Sequence, residues 1–117
     1  MTQIDTSALV RLRDMVGGDE EDLVEFIEDF SEIAPDLVKQ MTSGVESGDW
    51  NTVKIAAHSL KSNGKDLGAV VLSDLCAVVE SESAQGEVGN AQEKVEEISA
   101  EMQSALSAMQ ALDLAAI

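Results

Sequence analysis

The chain contains one histidine, His58, and three of its seven basic residues stand around it: Lys54, Lys61 and Lys65. The steps from Lys54 to His58, Lys61 and Lys65 are four, three and four residues. At about 100° per helical residue, all three lysines fall within about 60° of the histidine. In a chain of formal net charge −16, this is a local positive stripe centred on one imidazole. The residue types suit a nucleophile that receives a phosphoryl group. A neutral imidazole nitrogen can attack phosphorus near neutral pH, because unperturbed histidine titrates at about 6.5. The group in transfer spreads negative charge over its oxygens, and nearby ammonium groups stabilise that charge. Lys61, one turn beyond His58, is the best placed. An ordinary surface histidine on a solvated lysine face uses the same residue types, and spacing and composition leave both readings open.

The elements that must position these residues are all helical. A first short helix is expected from about Asp5 to Val16, capped by Asp5 and stopped by Gly17 and Gly18. The second runs from about Asp19 to Glu46 with an acidic first turn, and Leu23, Ile27, Phe30, Ala34, Leu37, Met41 and Val45 mark its inner face. Pro35 inside that pattern should kink it. Gly48 and Asp49 stop that helix and cap a third, from about Trp50 to Leu67. On this one His58 lies roughly 120° from the middle of the apolar face and should reach solvent. A fourth is expected from about Ala69 to Ser83, and the last, capped by Asn90, uses Val95, Ile98, Met102, Ala105, Met109 and Leu112. Nothing reads as a strand.

These patterns predict an all-α fold: an antiparallel up-down four-helix bundle with a short N-terminal covering helix, formed by residues 1–117 as a single domain. Apolar residues are 44% of the chain and aromatics only 3%, so the core must be built from aliphatic side chains, methionine and alanine. Of the methionines, Met41, Met102 and Met109 fall on core faces and Met15 does not. With 23 acids against 7 bases, nucleic acid and anionic membranes are poor partners. The lone Cys76 excludes an internal disulfide and fits a reducing compartment. There is no signal-peptide pattern and no apolar run near the ~20 residues of a membrane span, so a cytoplasmic location is expected.

The run His58-Ser59-Leu60-Lys61-Ser62-Asn63-Gly64-Lys65-Asp66-Leu67-Gly68-Ala69 resembles the signature of histidine-containing phosphotransfer (HPt) domains. That family reads His-x-Leu-Lys-Gly, then small residues, then Leu-Gly-Ala. Gly17-Gly18-Asp19, the Phe30 region, Gly48-Asp49 and the five-helix plan extend the likeness over almost the whole chain. The resemblance implies that His58 is the phosphoacceptor and that Lys61 steadies the phosphoryl group. It implies that Gly68 lets the next helix pack closely. Glu80 falls where the family often places Glu or Gln on the fourth helix, facing the histidine. There it can hold the other imidazole nitrogen and fix the tautomer; it reads equally well as a surface glutamate. Ser62 departs from the family, which has glycine there. Its hydroxyl can bond back to the His58 carbonyl or touch phosphoryl oxygens, and narrower partner choice is the expected consequence.

The function so implied is a monomeric carrier in a multistep two-component phosphorelay. His58 takes the group from a receiver aspartate or a sensor histidine kinase and passes it to a response-regulator receiver aspartate. No Gly-rich phosphate loop or kinase motif is present, so an enzyme with its own ATP site is not expected. No cofactor is expected on this chain, and the Mg²⁺ of the reaction belongs, in the family, to the receiver. Lys54, Lys61, Ser62 and Lys65 are expected to rim the docking surface. Three rivals carry less: a kinase dimerisation domain, since no ATP-binding domain follows; a non-catalytic helical adaptor that binds a signalling partner; and a metal site, for which one His and one Cys offer no ligand spacing. The initial Met1 favours a free-standing chain over a module of a larger kinase.

Overall fold

The computed structural model describes residues 3–117. Five α-helices follow one another: α1 (Thr6–Met15), α2 (Glu20–Ser47), α3 (Trp50–Asp66), α4 (Val70–Ala84) and α5 (Ala91–Gln110), with a 3₁₀ turn at Leu114–Ala116. No strand occurs among the described residues.

The helix starts follow from short acidic side chains. Asp5 accepts from the Ser7 amide at 3.1 Å and the Ser7 hydroxyl at 2.6 Å. Asp19 accepts from the Glu21 amide at 2.9 Å, and Asp49 from the Thr52 amide at 3.2 Å and hydroxyl at 2.7 Å. Each cap satisfies amides that the helix itself leaves unpaired. Gly48 ends α2 in the left-handed conformation, φ +70°, which costs glycine nothing. α2 continues through Pro35 as one element, although the proline offers no N–H to the Ser31 carbonyl.

Asn90 departs from expectation. It stands at the N-cap position of α5 but is left-handed, φ +52°, and its side chain caps nothing, because capping geometry requires an extended backbone there. The turn is held from α4 instead. The Glu82 carboxylate accepts from the Gly89 amide at 3.1 Å and pairs with Lys94 Nζ at 2.9 Å.

α2, α3, α4 and α5 close into a ring: α3 packs against α2 and α4, and α5 packs against α2 and α4 from the other side. Short connections between successive packed neighbours make them antiparallel. Leu23, Met41, Val53, Leu60, Leu72 and Ile98 are wholly buried at the centre, and Met41, Met102 and Met109 lie in the core while Met15 is exposed. α2 and α3 approach closely at Gly44, where a Cβ would stand 2.6 Å from Val53 Cγ2. α1 lies outside the ring against α2 and α3, anchored by the fully buried Leu9. No helix among the described residues is long and apolar enough to cross a membrane.

Candidate functional site

His58 sits in the middle of α3 with its side chain 60% exposed. α4 passes beside it, and the two helices are locked in register by Ser73, whose buried hydroxyl donates to the Lys61 carbonyl at 3.1 Å. Gly64 faces α4, with Leu72 and Ala69 at contact distance from the place a Cβ would occupy. This packing brings Glu80 on α4 over the face that carries His58. Its Oε2 lies 2.6 Å from His58 Nδ1 and its Oε1 lies 2.5 Å from Lys61 Nζ. One carboxylate thus bridges the imidazole and the ammonium group. The bond from Lys61, with a smaller contribution from His58, holds the Glu80 carboxyl below the usual carboxylate range against the opposing effect of burial.

The bridge has a chemical consequence. An ionised carboxylate only accepts hydrogen bonds, so Nδ1 must carry the proton. In the neutral ring the lone pair then belongs to Nε2. The arrangement presents a nucleophilic nitrogen on an exposed ring, backed by a carboxylate that stabilises the positive charge the ring gains when Nε2 forms a bond.

A groove of about 480 Å³ opens beside His58. α3 lines it with His58, Lys61, Ser62 and Lys65, α4 with Val70, Ser73, Asp74 and Ala77, and α1 with Ala8 and Arg11. The spacing on α3 therefore does bring His58, Lys61, Ser62 and Lys65 together. Lys54, one turn earlier, is half-buried and does not line the groove. Ser62 is exposed, lines the groove and makes no hydrogen bond to the His58 carbonyl.

Gly68 has a different neighbour from the one expected. Its φ is +82°, and a Cβ there would collide with the Asp5 carbonyl. The Asp5 amide donates to the Gly68 carbonyl at 2.8 Å. Gly68 thus admits the segment leading into α1, whereas Gly64 is the glycine that faces α4. The residue that sequence reasoning missed is Arg11. α1 read only as a cover, and nothing in its own pattern says which groove it borders. Cys76, one turn before Glu80, is fully buried, and its thiol is pushed up to about 12, first by burial and then by Glu80. It acts as a small apolar core residue. Among the described residues, no three His, Cys, Asp or Glu side chains cluster as metal ligands do.

The molecule is a four-helix bundle that presents one exposed imidazole beside a cationic groove. Its sequence matches the family model of the Hpt domain over residues 25–112, and the chain belongs to that family, whose members are phosphocarrier modules acting in histidine phosphotransfer within phosphorelay signalling. Its fold is shared with the crystal structure of histidine-containing phosphotransfer protein B (HptB) from Pseudomonas aeruginosa PAO1, at a TM-score of 0.80 and 21% identity, covering 88% of this chain and 87% of that one. No curated protein sequence matches it.

Proposed function

We propose that His58 is the residue that carries the phosphoryl group, through Nε2. The observation that supports this most directly is the 2.6 Å contact of Nδ1 with Glu80, which reserves the Nε2 lone pair for attack. In loading, Nε2 forms a bond to phosphorus while the P–O bond of a receiver's aspartyl phosphate breaks and its electron pair returns to the aspartate carboxylate. Nδ1 keeps its proton, and Glu80 balances the positive ring. In unloading, a receiver carboxylate attacks the same phosphorus and the N–P bond returns its pair to Nε2. Lys61, at rest on Glu80, steadies the phosphoryl oxygens by exchanging one anionic partner for another. The partners are receiver domains and a sensor histidine kinase; metal and nucleotide belong to them. The protein works as a cytoplasmic monomer in which the whole chain forms one Hpt unit.

The test is transfer from a phosphorylated receiver domain to the wild type and to His58→Gln. Acid-labile, base-stable label on the wild type alone is expected. Equal label on both proteins would move the acceptor elsewhere. No label on either, with several receivers tried and the helices intact by circular dichroism, would favour a helical adaptor without chemistry.

A further inference from the structure

The groove beside His58 is not built by α3 and α4 alone. α1 forms its third wall, and that wall is fixed. Asp5 is pinned to Gly68 by the 2.8 Å backbone bond, the left-handed Gly68 allows the close approach, and Leu9 is buried to the last atom. Arg11 is therefore held at the groove, exposed, by a helix with little freedom to turn away.

Of the seven basic residues, three have partners and two others line the groove. Lys94 is paired with Glu82, Arg13 donates to the Ile117 carbonyl at 2.6 Å, and Lys61 is on Glu80. Arg11 and Lys65 line the groove and form neither an ion pair nor a side-chain hydrogen bond among the described residues. Two acids share that lining, Asp5 and Asp74. Asp5 attracts Arg11 only at longer range, and its carboxylate is engaged by Ser7; Asp74 forms no bond to it. A guanidinium with its planar fork unengaged, in the groove that His58 also lines, is set for an incoming carboxylate.

We infer that Arg11 is a specificity-determining residue, one that binds an acidic side chain on the receiver surface that surrounds its phosphorylated aspartate. This rests on the carrier reading of His58. The charge balance favours such a contact. A chain of net charge −16 repels an acidic partner at long range, and the reacting aspartyl phosphate is itself an anion. At physiological ionic strength fields decay over about 8 Å, so at contact only the local cations count. Lys61 serves Glu80 at rest and the phosphoryl oxygens during transfer, so it is not left over for the receiver's other acids. Arg11, reaching in from α1, extends the attraction away from the phosphoryl group and onto the receiver's surface, where partners differ.

The experiment measures transfer from a phosphorylated receiver that labels the wild type, as a function of receiver concentration, for wild type, Arg11→Ala, Arg11→Lys and Lys39→Ala. Lys39 is exposed on α2 and absent from the groove, so Lys39→Ala makes the same change in net charge. The expected result for Arg11→Ala is a KM raised about fivefold with the saturating rate unchanged, a weaker dependence on salt than wild type, and partial recovery with Arg11→Lys. Lys39→Ala is expected to match the wild type. Equal effects of Arg11→Ala and Lys39→Ala, or a loss confined to the saturating rate, would overturn the inference. If the wild type takes no label from any receiver, the carrier reading itself fails, a result distinct from either.

Discussion

Replacing Glu80 by alanine removes two contacts at once, the 2.6 Å bond to Nδ1 and the 2.5 Å pair with Lys61, and separates their roles. A hydrogen bond to a charged group contributes roughly 1.5–3 kcal/mol when sheltered. Here the His58 side chain is 60% exposed and Glu80 22%, and solvent screening reduces that to about 0.5–1 kcal/mol. At about 1.4 kcal/mol per factor of ten, losing the tautomer bias should slow phosphoryl uptake by about twofold to fivefold. Glu80→Gln keeps an acceptor for Nδ1–H and frees Lys61, so it should lose less. The protein suits the assay, because its only histidine gives a single imidazole in the ¹⁵N spectrum of histidine-labelled material. Wild type should show the proton on Nδ1, Glu80→Ala a mixture of both tautomers, and rapid-quench transfer should fall in step. A wild-type ring protonated on Nε2 would refute the reasoning outright. So would a Glu80→Ala protein with an unchanged tautomer and rate.

Lys61→Ala should slow transfer about tenfold while leaving the circular dichroism of the helices intact; a parallel loss of helix would make Lys61 a structural residue. Because the folded protein holds Glu80 below its ordinary value, the pair's contribution to stability is complete above the unfolded carboxylate value of about 4.3 and is lost as pH falls through the lower folded value. The urea midpoint of wild type should therefore exceed that of Glu80→Gln at pH 7 and converge with it in strong acid, with Glu97→Gln, an exposed acid on α5, correcting for net charge. A gap that persists at low pH would contradict this. Gly68→Ala should destabilise by about 2–3 kcal/mol, from left-handed strain plus the clash with Asp5, and Gly48→Ala, with open space around it, by about 1 kcal/mol; equal urea midpoints would show that the Asp5 contact is soft. Ser62→Gly should broaden the set of receivers that exchange phosphoryl groups efficiently, and identical rates across several receivers would remove any role for the hydroxyl.

The helices were legible because two independent signals coincide at each end. Apolar steps of three and four residues define a face, and an aspartate or glycine marks where it stops. α2 was expected from Asp19 to Glu46 and runs Glu20–Ser47; α3 was expected from Trp50 to Leu67 and runs Trp50–Asp66. The inner faces were nearly complete, but Val38 and Ala56 are also buried, because a bundle helix touches two neighbours and a single stripe accounts for one; Val88 is buried from the loop between α4 and α5. Much of the α3 half of the site was legible for the same reason, since helical spacing gathers His58, Lys61 and Lys65; it also gathered Lys54, which does not line the groove, and Ser62 came from the resemblance. Contacts between helices were not. Glu80 lies 22 residues from His58, and only the family resemblance pointed to it. Arg11 had no signal at all. Gly68 was rightly singled out as a crowded place, yet which backbone crowds it depends on the path of the N-terminal segment, which no local pattern encodes.

On the proposed carrier role of His58, the bridge through Glu80 also bears on why such a site could both take and release its cargo. A carboxylate alone beside the imidazole would favour the positive ring of the phosphorylated state, but it would repel the incoming dianionic group. A lysine alone would attract the group and disfavour the ring's new charge. Joined by one carboxylate, the two effects oppose each other: Lys61 neutralises Glu80 while the ring is empty, and can turn toward phosphoryl oxygens once it is loaded, leaving Glu80 to the imidazolium. Charge is redistributed over three side chains already in contact, and no buried group has to change its ionisation. On an exposed surface each of these interactions contributes at most about 1 kcal/mol. They are therefore large enough to orient the nitrogen and small enough that the receiver, with its own cation and carboxylates, can pull the phosphoryl group away.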